Sequence, residues 1–482
     1  MKIYKFPTDY NKNSENFRVS WQGNNIPVYN CDVSAYPFNR VWQGKQRPFN
    51  QTEKASFISL GSDTEVSLLI EPKATFNDVT IRPISKNINP VINGNNIIVK
   101  FPAPGQYSVE LDGIHNTLTV FINPETEFEI DKSDKNILYF PPGLHIFDER
   151  IELKDNQTIF IDEGAVLMGS INATDKNNIS IIGYGILDNS RMNRANEING
   201  CAILDPNSPK QTGNPIFLNR CKNIVIDGVT IVDSSGWNIY LDGCENITIN
   251  NIKLIGMWRY NADGCDFCNC TNGLLQNSYL RTFDDCVTVK GFKLNNHLPV
   301  QNITVQNCVL WCDWGRALEV GAETCAPYIK DVLFCGCDII HGSDVMLDIQ
   351  HGDASNITNV KFKNINIEYS GNERKLVIQE SDNDLYPEDN IEYTPIPFTV
   401  TTGATMWSID THAGNVFDIS FEDINITTPN GLMPQGSSIY SKEATSFIEN
   451  ISFKNIFING LKCQFNDLNL HIGNNVTKVD CI

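Results

Sequence analysis

The chain has 482 residues, of which 41% are hydrophobic and 20% are charged, so it can bury a sizeable core and is not generally disordered. Its formal net charge of -20 argues against nucleic acid and anionic membranes as partners, since both need a basic protein surface. No run of about 18 apolar residues is present, which argues against a transmembrane helix.

The N-terminal residues MKIYKFPTDYNKNSENF contain neither an apolar segment nor the small-residue cleavage site of a secretory signal. Together with the leading Met, this favours a cytoplasmic protein. Secretion is the alternative if a signal was removed before the numbering begins.

Residues 1–126 are predicted to form a separate β domain. Short alternating or apolar segments, such as SFISLG at 56–61 and TLTVFINP at 117–124, are separated by Gly, Pro and Asn turns. This is the pattern of a small antiparallel sandwich, interpreted as a packing or carbohydrate-accessory domain. A polar and aromatic loop that could instead lean over a functional site contains Trp42, Gln43, Arg47 and Phe49.

Residues 127–482 repeat a short motif. Each copy has Asn, a hydrophobic-x-hydrophobic run, a polar pair and a second short strand, as in NIVIDGVTI at 223–231 and NITINNIKL at 246–254. Asn suits the corners of stacked coils because it tolerates the left-handed conformation and can hydrogen-bond its neighbours in a ladder. We therefore predict an all-β chain: a right-handed parallel β-helix, or solenoid, preceded by the small antiparallel β-sandwich.

Fifteen cysteines recur largely within strand-like segments, where a buried free cysteine behaves as a small hydrophobe. The spacings Cys265-x-x-Cys268-x-Cys270 and Cys335-x-Cys337 could also suggest zinc. Thiolates so close on extended strands converge poorly on a tetrahedron, and no histidine lies at zinc-finger spacing. We expect stacked core cysteines and neither a metal nor a cofactor.

Two adjacent repeats carry three aspartates, Asp263 in N-A-D-G and Asp284 and Asp285 in F-D-D-C. Stacked coils can place all three on one wall. Cleavage of a glycosidic bond needs one acid and one base or nucleophile, and clustered carboxyls supply both because like charges keep one of them protonated. A lone aspartate in such a chain is more simply a turn cap, but the spaced trio predicts the active site of a sugar-cleaving enzyme.

These motifs resemble glycoside hydrolase family 28, the polygalacturonase group, with kinship to the dextranase-like family 49 among the pectin-lyase-like β-helices. N-A-D ending at Asp263 is similar to the family's N-T-D, the motif beginning at Asp284 matches its D-D-C, and GYGILD at 183–188 is similar to its G-x-G-x-I-D turn. The resemblance covers roughly residues 135–430. It implies an inverting hydrolase of O-glycosyl bonds, with Asp284 as general acid and with Asp263 and Asp285 holding and deprotonating the water.

Two departures from the family pattern move the expected substrate away from galacturonate. Arg316 stands where the family has a histidine, with Glu319 close by, and Met346 and Asp348 replace the basic pair that binds the carboxylate of the sugar. An acidic residue there would repel a uronate. We therefore expect a neutral or other non-galacturonate oligo- or polysaccharide as the substrate and partner, with no nucleic acid and no membrane.

Other residues close to the aspartates are candidates for contact with the substrate. Tryptophan can stack on a sugar but is also common in cores, and a cation can bind substrate, balance charge or simply be solvated. The substrate-binding candidates are Arg316, Glu319, Trp237, Trp258, Arg259, Lys290 and His351, and weaker candidates are Arg281, Trp311, Trp314, Trp407, Asp410 and His412.

The two aspartates of F-D-D-C impose a condition on the backbone. Side chains alternate between the faces of a strand, so with Val287 and Val289 facing inward a straight strand would bury one of the two aspartates. We therefore predict a turn or bulge between Phe283 and Cys286.

Two other functions remain compatible with the sequence. A calcium-dependent polysaccharide lyase on the same β-helix would need a uronic substrate and would release an unsaturated sugar. In a non-catalytic carbohydrate-binding solenoid, the aspartates would only cap corners.

Overall fold

The computed structural model describes residues 1–34, 40–41, 52–125, 127–192, 213–371, 373, 377–378 and 393–481. The predicted loop of Trp42, Gln43, Arg47 and Phe49 lies outside these residues. The described chain is nearly all β, and no helix in it is long and apolar enough to cross a membrane. Its short 3-10 helices are Thr8–Tyr10, Ile84–Lys86, Lys293–Asn295, Pro429–Gly431 and Phe465–Leu468.

The N-terminal domain consists of two sheets that share one hydrophobic core. The six-stranded sheet contains β1 (Lys2–Ile3), β4 (Tyr29–Ser34), β6 (Thr52–Gly61), β8 (Val79–Arg82), β11 (Gly105–Leu111) and β12 (Leu118–Asn123). The five-stranded sheet contains β2 (Phe17–Trp21), β3 (Asn24–Ile26), β7 (Val66–Pro72), β9 (Val91–Asn93) and β10 (Asn96–Phe101). The pairs are antiparallel as predicted, except that β6 and β12 pair in parallel.

The rest of the chain forms a parallel β-helix whose coils each contribute strands to three faces, which confirms the predicted architecture. The first face contains β13 (Ile137–Phe140), β16 (Thr158–Ile161), β19 (Asn177–Ile182), β22 (Lys222–Asp227), β25 (Glu245–Asn250), β28 (Thr271–Gln276), β31 (Val300–Gln306), β34 (Ile329–Cys335) and β45 (Val476–Cys481). The second face contains β14 (Gly143–Ile146), β17 (Ala165–Met168), β20 (Ile186–Asp188), β23 (Thr230–Val232), β26 (Lys253–Ile255), β29 (Tyr279–Thr282), β32 (Val309–Cys312) and β35 (Asp338–His341).

Late in the helix, long strands join the first two faces. These strands are β37 (Ile357–Glu368), β40 (Val416–Thr427) and β42 (Ile448–Ile458), the last followed by β43 (Leu461–Lys462). The third face is a separate 11-stranded sheet of β15 (Ile151–Glu152), β18 (Ile171–Thr174), β21 (Ile216–Asn219), β24 (Ile239–Asp242), β27 (Cys265–Cys268), β30 (Val287–Gly291), β33 (Leu318–Thr324), β36 (Val345–His351), β39 (Ile396–Thr402), β41 (Ser438–Ser441) and β44 (His471–Ile472). Outside the helix faces, β5 (Arg40–Val41) pairs with β38 (Val377–Ile378).

The predicted asparagine ladder runs along the first face. Asn178, Asn223, Asn246, Asn272 and Asn302 all have φ between 56° and 59°. Each side-chain amide donates to the asparagine of the preceding coil, at distances of 2.8 to 3.1 Å. Asparagine therefore satisfies both the left-handed backbone and the stacking between coils.

The corners of the coil differ in length. The corner between the first and second faces has only two residues between β22 and β23, and again between β25 and β26 and between β28 and β29. The connections that enter and leave the third face are longer and more variable, as in the segments from β26 to β27 and from β39 to β40. These longer connections surround the outer surface of the third face.

The N-terminal domain packs on the second face of the β-helix. Tyr29, Phe57 and Phe121 share a hydrophobic cluster with Tyr279 and Trp311 of the helix. A buried ion pair adds to the contact, since Arg82 lies 2.9 Å from Glu110 of its own domain and 2.6 Å from Glu368 of the helix. The division predicted at residue 126 falls between the last N-terminal strand and β13.

The described cysteines are free, and all but Cys335 and Cys481 are buried. Cys221, Cys244 and Cys270 precede successive first-face strands and occupy equivalent positions in the core of the helix. This agrees with the prediction of stacked core cysteines. Within the described ranges, no group of three or more His, Cys, Asp or Glu side chains is arranged to hold a metal ion.

Candidate active site

A cleft of about 260 Å³ lies on the outer surface of the third face, around β30 and β33. Its lining combines acidic side chains with aromatic ones, the mixture expected of a site that binds a polyhydroxyl ligand. The lining residues are Trp237, Tyr260, Asn261, Asp263, Asp284, Asp285, Lys290, Trp314, Arg316, Glu319, Ala322, Glu323, Asp344, Met406 and Trp407.

The structure brings the three predicted aspartates together in this cleft. Asp263 comes from the connection between β26 and β27, and Asp284 and Asp285 lie at the corner between β29 and β30. The strand is interrupted at residues 283–286, so the predicted turn between Phe283 and Cys286 is confirmed. The turn lets both neighbouring aspartates reach the cleft, although each of the three is less than 8% exposed.

The turn is packed closely against Gly315 of the next coil. A Cβ atom at Gly315 would lie 2.4 Å from Oδ1 of Asp285 and 2.7 Å from Oδ1 of Asp284. The backbone N–H of Arg316 donates to the same Oδ1 of Asp285 over 2.7 Å. The carboxyl groups of Asp284 and Asp285 therefore both lie against Gly315, a position at which only glycine fits.

Burial and repulsion between carboxylates raise the pKa values of two of these aspartates, Asp284 and Asp263. Burial, followed by the charge of Asp285, raises the pKa of Asp284 to about 8. Burial, followed by the charges of Asp266 and Asp284, also raises the pKa of Asp263. Asp284 thus keeps its proton at neutral pH, as a general acid requires.

Lys290 is a buried cation at the floor of the cleft. Its Nζ lies 3.1 Å from Asp266, 3.4 Å from Asp263 and 3.9 Å from Glu323, and 4.1 Å from the ring centroid of Trp237. Burial alone would lower its pKa, but the surrounding carboxylates raise it. The alternative of a solvated lysine is therefore wrong.

Asp266, which holds Lys290, was not a candidate in the sequence. It is fully buried and accepts a hydrogen bond from Thr288 over 2.6 Å. In the parallel ladder it pairs with Thr288 one coil later, so its outward position could have been found from strand parity.

Arg316 lies in the cleft as predicted, but carboxylates already surround it. Its Nε is 3.5 Å from Asp348 and 3.6 Å from Asp344, and its guanidinium is 4.0 Å from Asp285. Asp344 was also missed, because nothing in its local sequence distinguishes it. Met346 corrects the sequence interpretation: it is fully buried in the core of the helix, so only Asp348 of the replaced basic pair is beside the cleft.

Three substrate-binding candidates, Trp258, Arg259 and His351, are absent from the lining, which corrects the prediction. Trp258 is 5% exposed and its Nε1 donates to Asp233 over 3.0 Å. Arg259 lies 3.2 Å from the same carboxylate and donates to backbone carbonyls of the 190–192 turn. His351 is fully buried, with Nδ1 2.9 Å from Oγ1 of Thr324.

The other tryptophan and arginine candidates divide between the cleft and the domain contact. Trp237, Trp314 and Trp407 line the cleft. Trp311 and Arg281 are buried near the N-terminal domain, with the guanidinium 3.7 Å from the indole centroid. Neither His412 nor Asp410 is among the lining residues.

Four polar atoms of the cleft are buried without a hydrogen-bond partner among the described residues. They are Oδ1 of Asp263, Oε1 of Glu319, Nε1 of Trp314 and Nε of Arg316. Unpaired buried polar groups are costly, so these atoms are suited to pair with groups of a bound ligand.

Comparisons with known proteins agree with this geometry. The family model described as "Glycosyl hydrolases family 28" matches residues 146–447, more than half of the chain. A probable endopolygalacturonase D from Emericella nidulans is 23% identical over 183 residues, covering 35% of this chain and 33% of that protein. A probable exopolygalacturonase B from Neosartorya fischeri is 24% identical, covering 40% and 44%. The chain thus spans less than half the length of these curated relatives.

Solved structures share the fold. Dex49A from Penicillium minioluteum aligns with 97% of this chain and 94% of its own, at a TM-score of 0.63 and 14% identity. A family 28 exopolygalacturonase from Yersinia enterocolitica aligns with 87% of this chain and 97% of its own, at a TM-score of 0.53 and 16% identity.

Proposed function

We propose that this chain, which belongs to family 28 of the glycosyl hydrolases, hydrolyses O-glycosidic bonds of a neutral oligo- or polysaccharide with inversion. One observation carries the proposal: three buried carboxyl groups share a cleft in which Asp284 holds a proton at neutral pH. An acid and a base within one cleft are what glycoside hydrolysis needs.

In the proposed reaction, Asp284 donates its proton to the glycosidic oxygen as the bond from that oxygen to the anomeric carbon breaks. A water molecule attacks the same carbon from the opposite side and gives up a proton to Asp285 or Asp263. The products are a saturated reducing sugar and an alcohol. Transfer of the proton from the base to solvent and protonation of Asp284 then restore the enzyme.

The charges of the cleft support a neutral sugar. Lys290 and Arg316 are the cations of the described lining, and each already lies within 4.0 Å of three carboxylates. A uronate would have to compete with those carboxylates while approaching further ones. Sugar hydroxyls can instead donate to carboxylate oxygens, and the apolar faces of the rings can pack on Trp237, Trp314 or Trp407.

The test compares the wild type with Asp284→Asn on neutral oligosaccharides, aryl glycosides and polygalacturonate, with NMR of the anomeric proton of the product. We expect hydrolysis of a neutral substrate with inversion, and a turnover that falls by about 10²–10⁴-fold in Asp284→Asn while binding persists. Asp418→Asn, at an exposed first-face corner, is the matched control and should retain full activity.

Other products would contradict the proposal in distinct ways. An unsaturated product that depends on calcium would indicate a lyase. Retained anomeric configuration would refute inversion, and faster hydrolysis of polygalacturonate would refute the neutral substrate. Binding without turnover in the wild type across the whole panel would indicate a carbohydrate-binding solenoid.

A further inference from the structure

We propose that Glu319 is a specificity-determining residue that is uncharged at neutral pH and donates a hydrogen bond to an oxygen of the sugar bound at the three aspartates. This inference rests on the proposed function and deepens it. It assigns a chemical role to a residue that was a candidate for substrate contact from its sequence position alone.

Glu319 occupies the middle of the cleft floor. In the third-face ladder, it pairs with Thr288 on one side and with Asp348 on the other. Its neighbours Leu318 and Val320 belong to the core, so alternation along the strand places Glu319 on the outward side. It lines the cleft together with Asp285, yet it is only 1% exposed.

No cation of the described residues forms a salt bridge with Glu319, and the charges of Arg316 and Lys290, which favour its ionised form from farther away, do not outweigh burial and the neighbouring carboxylates. Among the described residues, the salt bridges of Lys290 and Arg316 within 4.0 Å go to other carboxylates, and none reaches Glu319. Asp285 and Asp348 lie on either side, so a charge on Glu319 would be both desolvated and repelled. Burial, followed by the charge of Asp285, accordingly raises the pKa of Glu319.

An uncharged carboxyl group has an O–H donor, which a carboxylate lacks. Oε1 of Glu319 is buried without a partner, so the free end of this carboxyl has its bonding capacity unused. A sugar hydroxyl or ring oxygen in the cleft can accept a hydrogen bond from it. The backbone N–H of Arg316 donates to Asp285 over 2.7 Å and not to Glu319.

Two substitutions separate a neutral donor from a charged acceptor. Glu319→Gln keeps the size and an N–H donor without any charge, whereas Glu319→Ala removes the donor. On the neutral substrate that the wild type cleaves, we expect KM of Glu319→Gln to stay within about threefold of the wild type. KM should rise about threefold to tenfold in Glu319→Ala, the effect of one lost hydrogen bond, with a smaller change in kcat. Glu422→Gln, on the first face, is the matched control, and melting temperatures verify folding.

Two kinetic results would overturn the inference. If Glu319→Gln is as impaired as Glu319→Ala, the carboxylate itself is needed. If both variants match the wild type, Glu319 does not contact the sugar.

An infrared measurement without sugar makes the test independent of turnover. The difference spectrum between the wild type and Glu319→Gln at pH 7 should contain the C=O band of a protonated carboxyl, and its absence would overturn the inference. If the wild type cleaves nothing, the proposed function fails. In that case the inference is tested by this band and by calorimetry, which measures the binding of neutral glucose, galactose, mannose and xylose oligosaccharides to Glu319→Gln and Glu319→Ala. Equal affinities of the two variants would overturn the inference.

Discussion

Replacing Lys290 by Met tests whether the buried ammonium organises the carboxyls of the cleft. The change keeps a long side chain but removes the charge that lies 3.1 Å from Asp266 and 3.4 Å from Asp263. The lysine side chain is only 5% exposed, so solvent cannot replace the lost contact. Removal of one partner from a buried ion pair costs about 3–5 kcal/mol. The carboxyl groups that lose the ammonium can take up protons, which reduces this cost. We therefore expect the free energy of unfolding to fall by about 3 kcal/mol at pH 7.

The loss of stability in Lys290→Met should increase with pH. Burial and neighbouring carboxyls already raise the pKa of Asp263, and loss of Lys290 raises it further. A carboxyl with a higher pKa in the folded than in the unfolded state binds more protons when folded. Stability therefore falls as the pH rises from about 4 towards the folded pKa. The difference between Lys290→Met and the wild type should be larger at pH 8 than at pH 5.

Thermal unfolding followed by circular dichroism between pH 5 and pH 8 measures this effect. A chain of 482 residues has an unfolding entropy of about 1 kcal/mol per kelvin, so we expect a fall in melting temperature of about 3 °C at pH 7. Lys293→Met, at an exposed lysine three residues further on, is the matched control and should change little. A difference that is the same at every pH, or no larger than that of the control, would refute the reasoning.

Three further predictions concern the turn, the rim and the domain contact. Gly315→Ala would place a Cβ against the two adjacent aspartates and should lower kcat at least about tenfold. Gly236→Ala is the control, because its Cβ would be 3.4 Å from the nearest atom, and it should leave kcat unchanged. Equal kcat values in the two variants would contradict this prediction. Trp407→Ala should weaken calorimetric binding of a neutral oligosaccharide about threefold to tenfold without changing the melting temperature, and unchanged affinity would show that the ring does not stack on sugar. Arg82→Met should lower the free energy of unfolding in urea by about 3–5 kcal/mol, and Lys100→Met, from an exposed pair, by about 1 kcal/mol or less; similar losses would argue against a link between the domains.

The sequence was sufficient for the architecture because the architecture repeats. Successive coils have the same corner sequence, so the sequence alone was enough to predict that Asn223, Asn246 and Asn272 stack in one column. The same repetition explains why the three aspartates were found. Asp263 and Asp284 lie in adjacent coils, where a separation of one repeat along the chain becomes one layer in space.

Two of the errors arose where the chain leaves its repeat. Trp258 and Arg259 are close to Asp263 in sequence, but the connection turns them towards Asp233 and away from the cleft. His351 is at the end of a third-face strand, and Met346 lies in one, yet both side chains are fully buried. Sequence proximity to Asp263 does not determine the direction of a side chain in an irregular connection.

Contacts between distant parts of the chain were also beyond the sequence. Arg82 pairs with Glu368, 286 positions away, and neither residue belongs to a local motif. Lys290 shows the reverse case. It was identified from a motif, but its carboxylate partners belong to the coil before it, which contributes Asp263 and Asp266, and to the coil after it, which contributes Glu323, so its burial could be seen only in the folded chain.

The unequal corners of the coil have a consequence for how such a protein can change over time. The corner between the first and second faces has two residues between β25 and β26, and any insertion there would disturb both the stack and the surface on which the N-terminal domain packs. Connections next to the third face, such as that from β39 to β40, can lengthen or shorten while the ladders on either side keep their register. We therefore expect homologues that act on different sugars to differ in length mainly in the connections at the rim of the cleft. The two-residue corners between the first and second faces should keep the same length in all of them.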